Sequence, residues 1–249
     1  MTSFSDHFSG IAASYASYRP GYPAALFAWL AGLAPDRARA WDCGTGSGQA
    51  AEGLAAHFDE VVATDPSVAQ LTNAPRVDHV AYVAMTAERV ALVDRAVALV
   101  TVAQALHWFE RTDFYREVDR VLRPGGILAA WTYALAIIDP DVDAILSRFH
   151  TETMGPYWPA QRSLVDAGYQ GIELPYPELS PPGFEMKVDW DLPQLRGYIT
   201  TWSAVSRYRA ERGEDPVPAI MRAVAERWGN PAERRRIRWP LTLRVARKS

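Results

Sequence analysis

Cysteine is nearly absent: Cys43 is the only one among 249 residues. A single thiol excludes an intrachain disulfide and any multi-cysteine zinc or iron–sulfur site, and no metal is expected. It also fits a reducing compartment, so the cytoplasm is the expected location. Lysine is almost as scarce, with Lys187 and Lys248 alone, so nearly all positive charge is arginine. No large excess of either sign remains; the formal net charge is -3 and the pI about 6.0. That balance argues against a general nucleic-acid binder. The one dense basic run, Arg234-Arg235-Arg236 with Arg238, has no recognition motif beside it and reads as a solvated turn before the last strand. Long apolar runs are missing as well. The longest lies near Ala96 to Leu106, far short of the roughly 18 residues that a membrane span needs. Met1 to Gly10 lacks a basic region followed by an apolar stretch, so no signal peptide is expected and no membrane partner. Nothing in the sequence speaks to oligomeric state.

What is present is an ordinary globular mixture, 49% hydrophobic and 22% charged, long enough for one large α/β domain spanning 1–249. The first 35 residues are aromatic and punctuated by Pro20 and Pro23, which discourage a helix between them. A helix is predicted from Ala24 to Leu33, stopped by Pro35. Strands and helices then alternate. Strands are expected at Ala38–Cys43, Glu60–Asp65, His79–Ala84, Ala96–Ala103 and Ile127–Tyr133, with helices at Gln49–His57 and Arg111–Leu122. Ala96–Ala103 is the most apolar and belongs at the sheet centre, buried on both faces. This order implies a Rossmann-like parallel sheet with helices on both faces. Beyond Tyr133 the pattern loosens. Helices are expected at Asp141–Glu152, Leu192–Ala204 and Pro216–Trp228, a loop at Leu174–Gly183, and a strand at Phe184–Trp190. Arg238–Arg247 alternates as a last strand, although Pro240 favours an edge or a strand start.

The motif that carries chemistry is Asp42-Cys43-Gly44-Thr45-Gly46-Ser47-Gly48, placed where a strand becomes a helix. Glycines permit a tight turn and a close ligand approach. The helix beyond points free N–H groups at that ligand. Asp65 ends the next strand, where a carboxylate can accept both ribose hydroxyls of an adenosine. The dinucleotide fingerprint wants its third glycine three residues after the second, at Gln49, whereas here it comes at Gly48. A nicotinamide oxidoreductase, a non-catalytic cofactor-binding module and a purely structural turn are the competing readings.

With Asp65, the turn resembles the class I methyltransferases that use S-adenosylmethionine. Several further stretches are similar to the trans-aconitate-methyltransferase-like branch. They are Tyr15-Ala16-Ser17-Tyr18-Arg19-Pro20-Gly21-Tyr22-Pro23, Gln104-Ala105-Leu106-His107-Trp108-Phe109, Leu122-Arg123-Pro124-Gly125-Gly126, Gly155-Pro156-Tyr157-Trp158 and Thr201-Trp202-Ser203-Ala204. The resemblance implies S-adenosylmethionine as cofactor and a seven-stranded, mostly parallel sheet with an antiparallel last strand. It divides the chain into a lid segment over 1–35, a cofactor-binding core over 38–133, acceptor-side elements over 139–230 and the last strand over 237–247. Asp42 and Gly44 would face the methionine amino end, and Gly46 and Gly48 would let the cofactor lie close. Asp65 would hold the ribose, Pro66 would pack near adenine, and Ala87 and Glu88 would meet the adenine amine. Gln104 and Ala105 would flank the methionine end. Cys43 departs from the usual small aliphatic at its position, without disturbing the glycine spacing.

The implied reaction moves a methyl group to a small-molecule acceptor, at a carboxylate or hydroxyl oxygen. A carboxylate needs no base; a hydroxyl does. His107, just past the central strand, is the candidate base, the alternative being that it orients Trp108 or caps a helix. Arg19 is the candidate carboxylate clamp, for cofactor or acceptor, or else a surface arginine beside a turn. Tyr15 and Tyr18 share a helix face and would form the lid with Tyr22. Tyr18, Trp108, Trp158, Trp202, Arg207 and Tyr208 are candidates for the acceptor pocket, although tryptophans more often simply pack.

Overall fold

The computed structural model describes residues 18–249; Tyr15 and the rest of the expected lid before Tyr18 lie outside the described residues. Helix α1 (Ala24–Leu33) begins right after Pro23 and buries Leu26, Phe27, Leu30 and Ala31 at helical intervals. Then come β1 (Arg39–Cys43), α2 (Gln49–Ala55), β2 (Glu60–Asp65), α3 (Val68–Thr72), β3 (Val80–Ala84), β4 (Val97–Ala103), α4 (Arg111–Val121) and β5 (Leu122–Thr132). The second half holds α5 (Pro140–Arg148), α6 (Arg162–Asp166), β6 (Glu178–Leu179), β7 (Phe184–Trp190), α7 (Leu192–Thr200), α8 (Ser203–Arg212), α9 (Val217–Trp228) and β8 (Arg235–Arg247).

The sheet runs β3-β2-β1-β4-β5-β8-β6, with β7 also paired to β8. Strands β1 to β5 are parallel, whereas β8 runs antiparallel to β5, β6 and β7. Chain order reverses between β1 and β4, so the carboxyl ends of those strands open a crevice. Two hydrophobic cores lie on opposite faces. In β5, Ile127, Ala129 and Trp131 join one, while Leu128 and Ala130 join the other. Central β4 is buried on both faces, as its composition predicts.

The sheet has one strand more than expected, the short β6, and β8 is 13 residues long and changes partners along its length. Its first part pairs with β7 and its second with β5. Pro240 stands opposite Glu185 of β7, just before that change, where a missing N–H is tolerated. The predicted loop at 174–183 contains the two-residue strand β6. The predicted helix at 192–204 is in fact two helices. The Thr201 hydroxyl donates back to the Tyr198 carbonyl at 2.6 Å, and Trp202 adopts extended backbone before α8 begins. Among the described residues no helix is long and apolar enough to cross a membrane.

Candidate active site

The tips of β1 and β2 carry the two aspartates. Asp42 stands opposite Thr101 of β4 and Ala63 of β2. It is fully buried, and its carboxylate accepts from the Thr101 hydroxyl at 2.8 Å and the Thr45 hydroxyl at 2.5 Å. Burial drives its pKa up to about 6; the two hydroxyls oppose that rise, and the nearby Asp65 charge adds to it. Asp65 accepts from the Gly46 N–H at 2.9 Å and the Ser67 N–H at 2.8 Å, which ties the glycine turn to the end of β2. The thiol of Cys43 is buried and pushed well above its ordinary pKa by burial and by Asp42, so it is inert.

Gly44, Gly46 and Gly48 all have positive φ, at 69°, 56° and 87°. A Cβ on Gly44 would stand 2.6 Å from the Ala105 Cβ, and one on Gly48 would stand 2.7 Å from the Tyr82 hydroxyl. Both the conformation and the space therefore demand glycine. Replacing Gly48 by alanine is expected to lower the unfolding free energy by about 2 kcal/mol, from backbone strain plus the clash. Urea denaturation measures this; an unchanged midpoint would mean that Tyr82 moves aside freely.

The turn fits an adenosyl cofactor. Two buried polar atoms beside it, Gln70 Oε1 near Gly46 and the Tyr82 hydroxyl near Gly48, have no hydrogen-bond partner among the described residues. A ribose-bearing group carries the donors and acceptors to complete them. Pro66 follows Asp65 directly and is half-buried. Ala87 is buried beyond β3, and Glu88 next to it accepts from the Glu110 N–H at 3.1 Å. Gln104 ends β4 with a positive φ of 55°, a strained conformation for a non-glycine residue. Its side chain is held by the Tyr133 carbonyl and the Thr132 hydroxyl.

Beyond Gln104 lies a cavity of about 90 Å³. Of the predicted residues it brings together Arg19, Gln104, His107, Trp108, Trp158 and Trp202. Arg19 donates to the Tyr133 hydroxyl at 3.1 Å and lies 4.9 Å from the centre of the Tyr198 ring. His107 Nδ1 sits 2.9 Å from the Tyr169 hydroxyl. Burial, then the Arg162 guanidinium, push the His107 pKa down to about 3, so the ring is neutral at pH 7. Arg207 and Tyr208 do not line the cavity; Tyr208 packs on Tyr157. Tyr18 packs its ring over the backbone of Gly197, where a Cβ would fall 2.3 Å away. Sequence reasoning missed Arg162, His150, Tyr133 and Tyr198, which also line the cavity. Arg162 lies four residues after Trp158, a spacing that could have flagged it; His150 carries no local signal.

An order reversal between parallel strands, a three-glycine turn and paired strand-tip aspartates define an α/β enzyme built around an adenosyl cofactor. Comparisons with known proteins narrow this. A family model described as a methyltransferase domain matches residues 41–130. The chain is 34% identical over 223 residues to a Dictyostelium discoideum protein provisionally assigned as a methyltransferase, covering 88% of this chain and 85% of that one. It matches the solved structure of a protein from Anaeromyxobacter dehalogenans, provisionally assigned as a type II methyltransferase. That match has 42% identity and a TM-score of 0.86, and covers 92% of this chain and 98% of the other. A malonyl-acyl-carrier-protein O-methyltransferase of Methylococcus capsulatus is 36% identical over 120 residues, 45% of this chain and 44% of that protein. The chain belongs to the class I methyltransferases, and its cofactor is S-adenosylmethionine.

Proposed function

We propose that this enzyme transfers a methyl group to a carboxylate oxygen of a small-molecule acceptor held in the cavity beyond Gln104. One observation carries the reading: Arg19 and Arg162 line that cavity and, among the described residues, no aspartate or glutamate does. Guanidinium groups favour an anion there. The name of the Methylococcus capsulatus relative, an O-methyltransferase, is in keeping with oxygen as the acceptor atom.

Bound S-adenosylmethionine supplies a methyl group activated by a cationic sulfur. Asp42, Gly44, Gln104 and Ala105 hold its methionine end; Asp65 takes the ribose; Pro66, Ala87 and Glu88 border the adenine. The chain's remaining task is alignment, which can supply on the order of 7–11 kcal/mol. Arg19 and Arg162 orient the acceptor, and the aromatic walls exclude water. Tyr15 and Tyr18 belong to the lid of this reading. Arg207 falls outside the acceptor contacts.

His107 acts here as an orienting group. A ring with its pKa near 3 and Nδ1 engaged by Tyr169 is a weak base at pH 7. His107→Asn is therefore expected to lower kcat by less than about tenfold, whereas loss of a true general base costs about 10²–10⁴-fold. A loss in the larger range would restore the base role and a hydroxyl acceptor. The reading itself is tested with methyl-labelled S-adenosylmethionine and a panel of small carboxylic acids. Label should appear in a base-labile ester; label confined to base-stable products would refute carboxylate methylation.

A further inference from the structure

We propose that His150 is an acceptor-binding residue, its Nε2 forming with the Arg162 guanidinium a subsite for a carboxylate of the acceptor. This rests on reading the cavity as the acceptor site. His150 is only 6% exposed, and its Nε2 has no hydrogen-bond partner among the described residues, yet the residue lines the cavity. An unsatisfied buried nitrogen is costly, so it calls for a ligand or another compensation.

The ring is held in place. It lies 4.9 Å from the Trp158 ring at 38°, and 5.8 Å from Trp202 edge-on at 82°. The Trp158 indole N–H donates to the His150 carbonyl at 3.1 Å, which locks ring and backbone as one unit. His150 sits in a π-helical turn, Phe149–Thr153, that follows α5, where the Met154 N–H reaches the Phe149 carbonyl at 2.9 Å. That wider turn shifts the side chain out of the register of α5, an irregularity frequent at functional sites.

Arg162, at the start of α6, lines the same cavity. Its guanidinium lies 4.6 Å from the Trp158 ring centre, and its Nε donates to Asp166 at 2.8 Å, which fixes the plane and leaves the terminal nitrogens for a ligand. Burial, then the Arg162 charge, keep the His150 ring neutral, the pKa being pushed down to about 4 against a smaller opposing pull from Asp166. A neutral ring in the Nε2–H tautomer donates one hydrogen bond. A carboxylate can accept that bond on one oxygen and the guanidinium on the other.

The test uses the full chain saturated with S-adenosylhomocysteine, titrated calorimetrically with acetate, succinate, benzoate and, as a neutral counterpart, benzamide. At least one carboxylate should bind saturably, and benzamide should bind far more weakly than benzoate. His150→Phe keeps an aromatic ring and loses the nitrogen. It should weaken carboxylate binding at least about tenfold and leave S-adenosylhomocysteine affinity unchanged. His150→Gln restores an N–H and should recover binding to within about threefold. Unchanged carboxylate affinity in His150→Phe, equal binding of benzamide and benzoate, or no carboxylate binding to the wild-type complex would each overturn the proposal. Should His150→Phe fail to fold, the wild-type His150 side-chain ¹⁵N resonances decide: no saturable shift with any carboxylate overturns it. Failure of S-adenosylhomocysteine itself to bind would instead strike down the cofactor reading on which this one stands.

Discussion

Asp65→Ala should weaken S-adenosylhomocysteine binding by about a hundredfold or more while leaving the protein folded. The carboxylate has two tasks in the proposed site. It accepts from the Gly46 and Ser67 amides, which sets the shape of the turn, and it would accept the ribose hydroxyls of the cofactor. Hydrogen bonds to a charged group are worth about 1.5–3 kcal/mol each, so two ribose contacts amount to about 3 kcal/mol or more, roughly two powers of ten in affinity. The folding cost is smaller, because Asp65 is only half-buried and water can reach the freed amides. Asp65→Asn keeps one acceptor oxygen and should fall between wild type and alanine. Calorimetry on the three proteins measures the order. If Asp65→Ala binds the analogue as tightly as wild type, the ribose assignment is wrong.

The part of the site made by neighbouring residues was legible from the residues themselves; of the part made by distant ones, Arg19, Trp158 and Trp202 were reached through the family resemblance and Arg162 and His150 were not reached. Gly44, Gly46 and Gly48 announce themselves because all three take positive φ and the turn is crowded at Gly44 and Gly48. Asp42 and Asp65 are visible because each is an acidic residue at the end of an apolar run that reads as a strand. The last strand, β8, is readable from its alternation, Ile237, Trp239, Leu241, Leu243 and Val245 all entering one core. The acceptor side gives no such signal. Arg162 and Arg207 look alike in sequence, each standing near aromatic residues, Arg162 after Trp158 and Arg207 beside Tyr208. Only the packing of α6 beside the Leu106–Trp108 turn puts Arg162 into the cavity. The π-helical turn that carries His150 has no compositional signature, since it is set by how α5 meets the segment around Trp158. The break at Thr201 and Trp202 is likewise a tertiary effect, in which the indole is buried at the cost of one helix becoming two.

The opposite stability effect is expected at Asp42. Asp42→Asn should abolish tight cofactor binding, with a loss of about a hundredfold or more, and should make the cofactor-free protein more stable at neutral pH. The buried carboxyl has a folded pKa of about 6 against an ordinary 3.8. A raised pKa means that the folded state holds its proton more tightly than the unfolded chain. The resulting stabilisation is complete below about pH 3.8 and is lost as pH rises to about 6. At 1.36 kcal/mol per unit this amounts to about 3 kcal/mol, an order-of-magnitude figure for the cost of a bare buried charge. Asparagine has nearly the same shape and no charge, and the rotatable hydroxyls of Thr45 and Thr101 can satisfy it. The gap between variant and wild type should therefore open between pH 4 and pH 6 and stay flat above. Taking the difference isolates Asp42 from His107 and His150, whose neutral buried rings shift stability in the other direction over acid pH. In the wild type, the carboxylate must ionise to meet the cofactor's ammonium, so S-adenosylhomocysteine affinity should rise by about tenfold from pH 5 to pH 7. The variant should show no such rise. Chemical denaturation and calorimetry across this range measure both curves. A variant less stable than wild type at pH 7, with a wild-type affinity that ignores pH, would show that Asp42 is an ordinary structural carboxylate, already ionised before any ligand arrives.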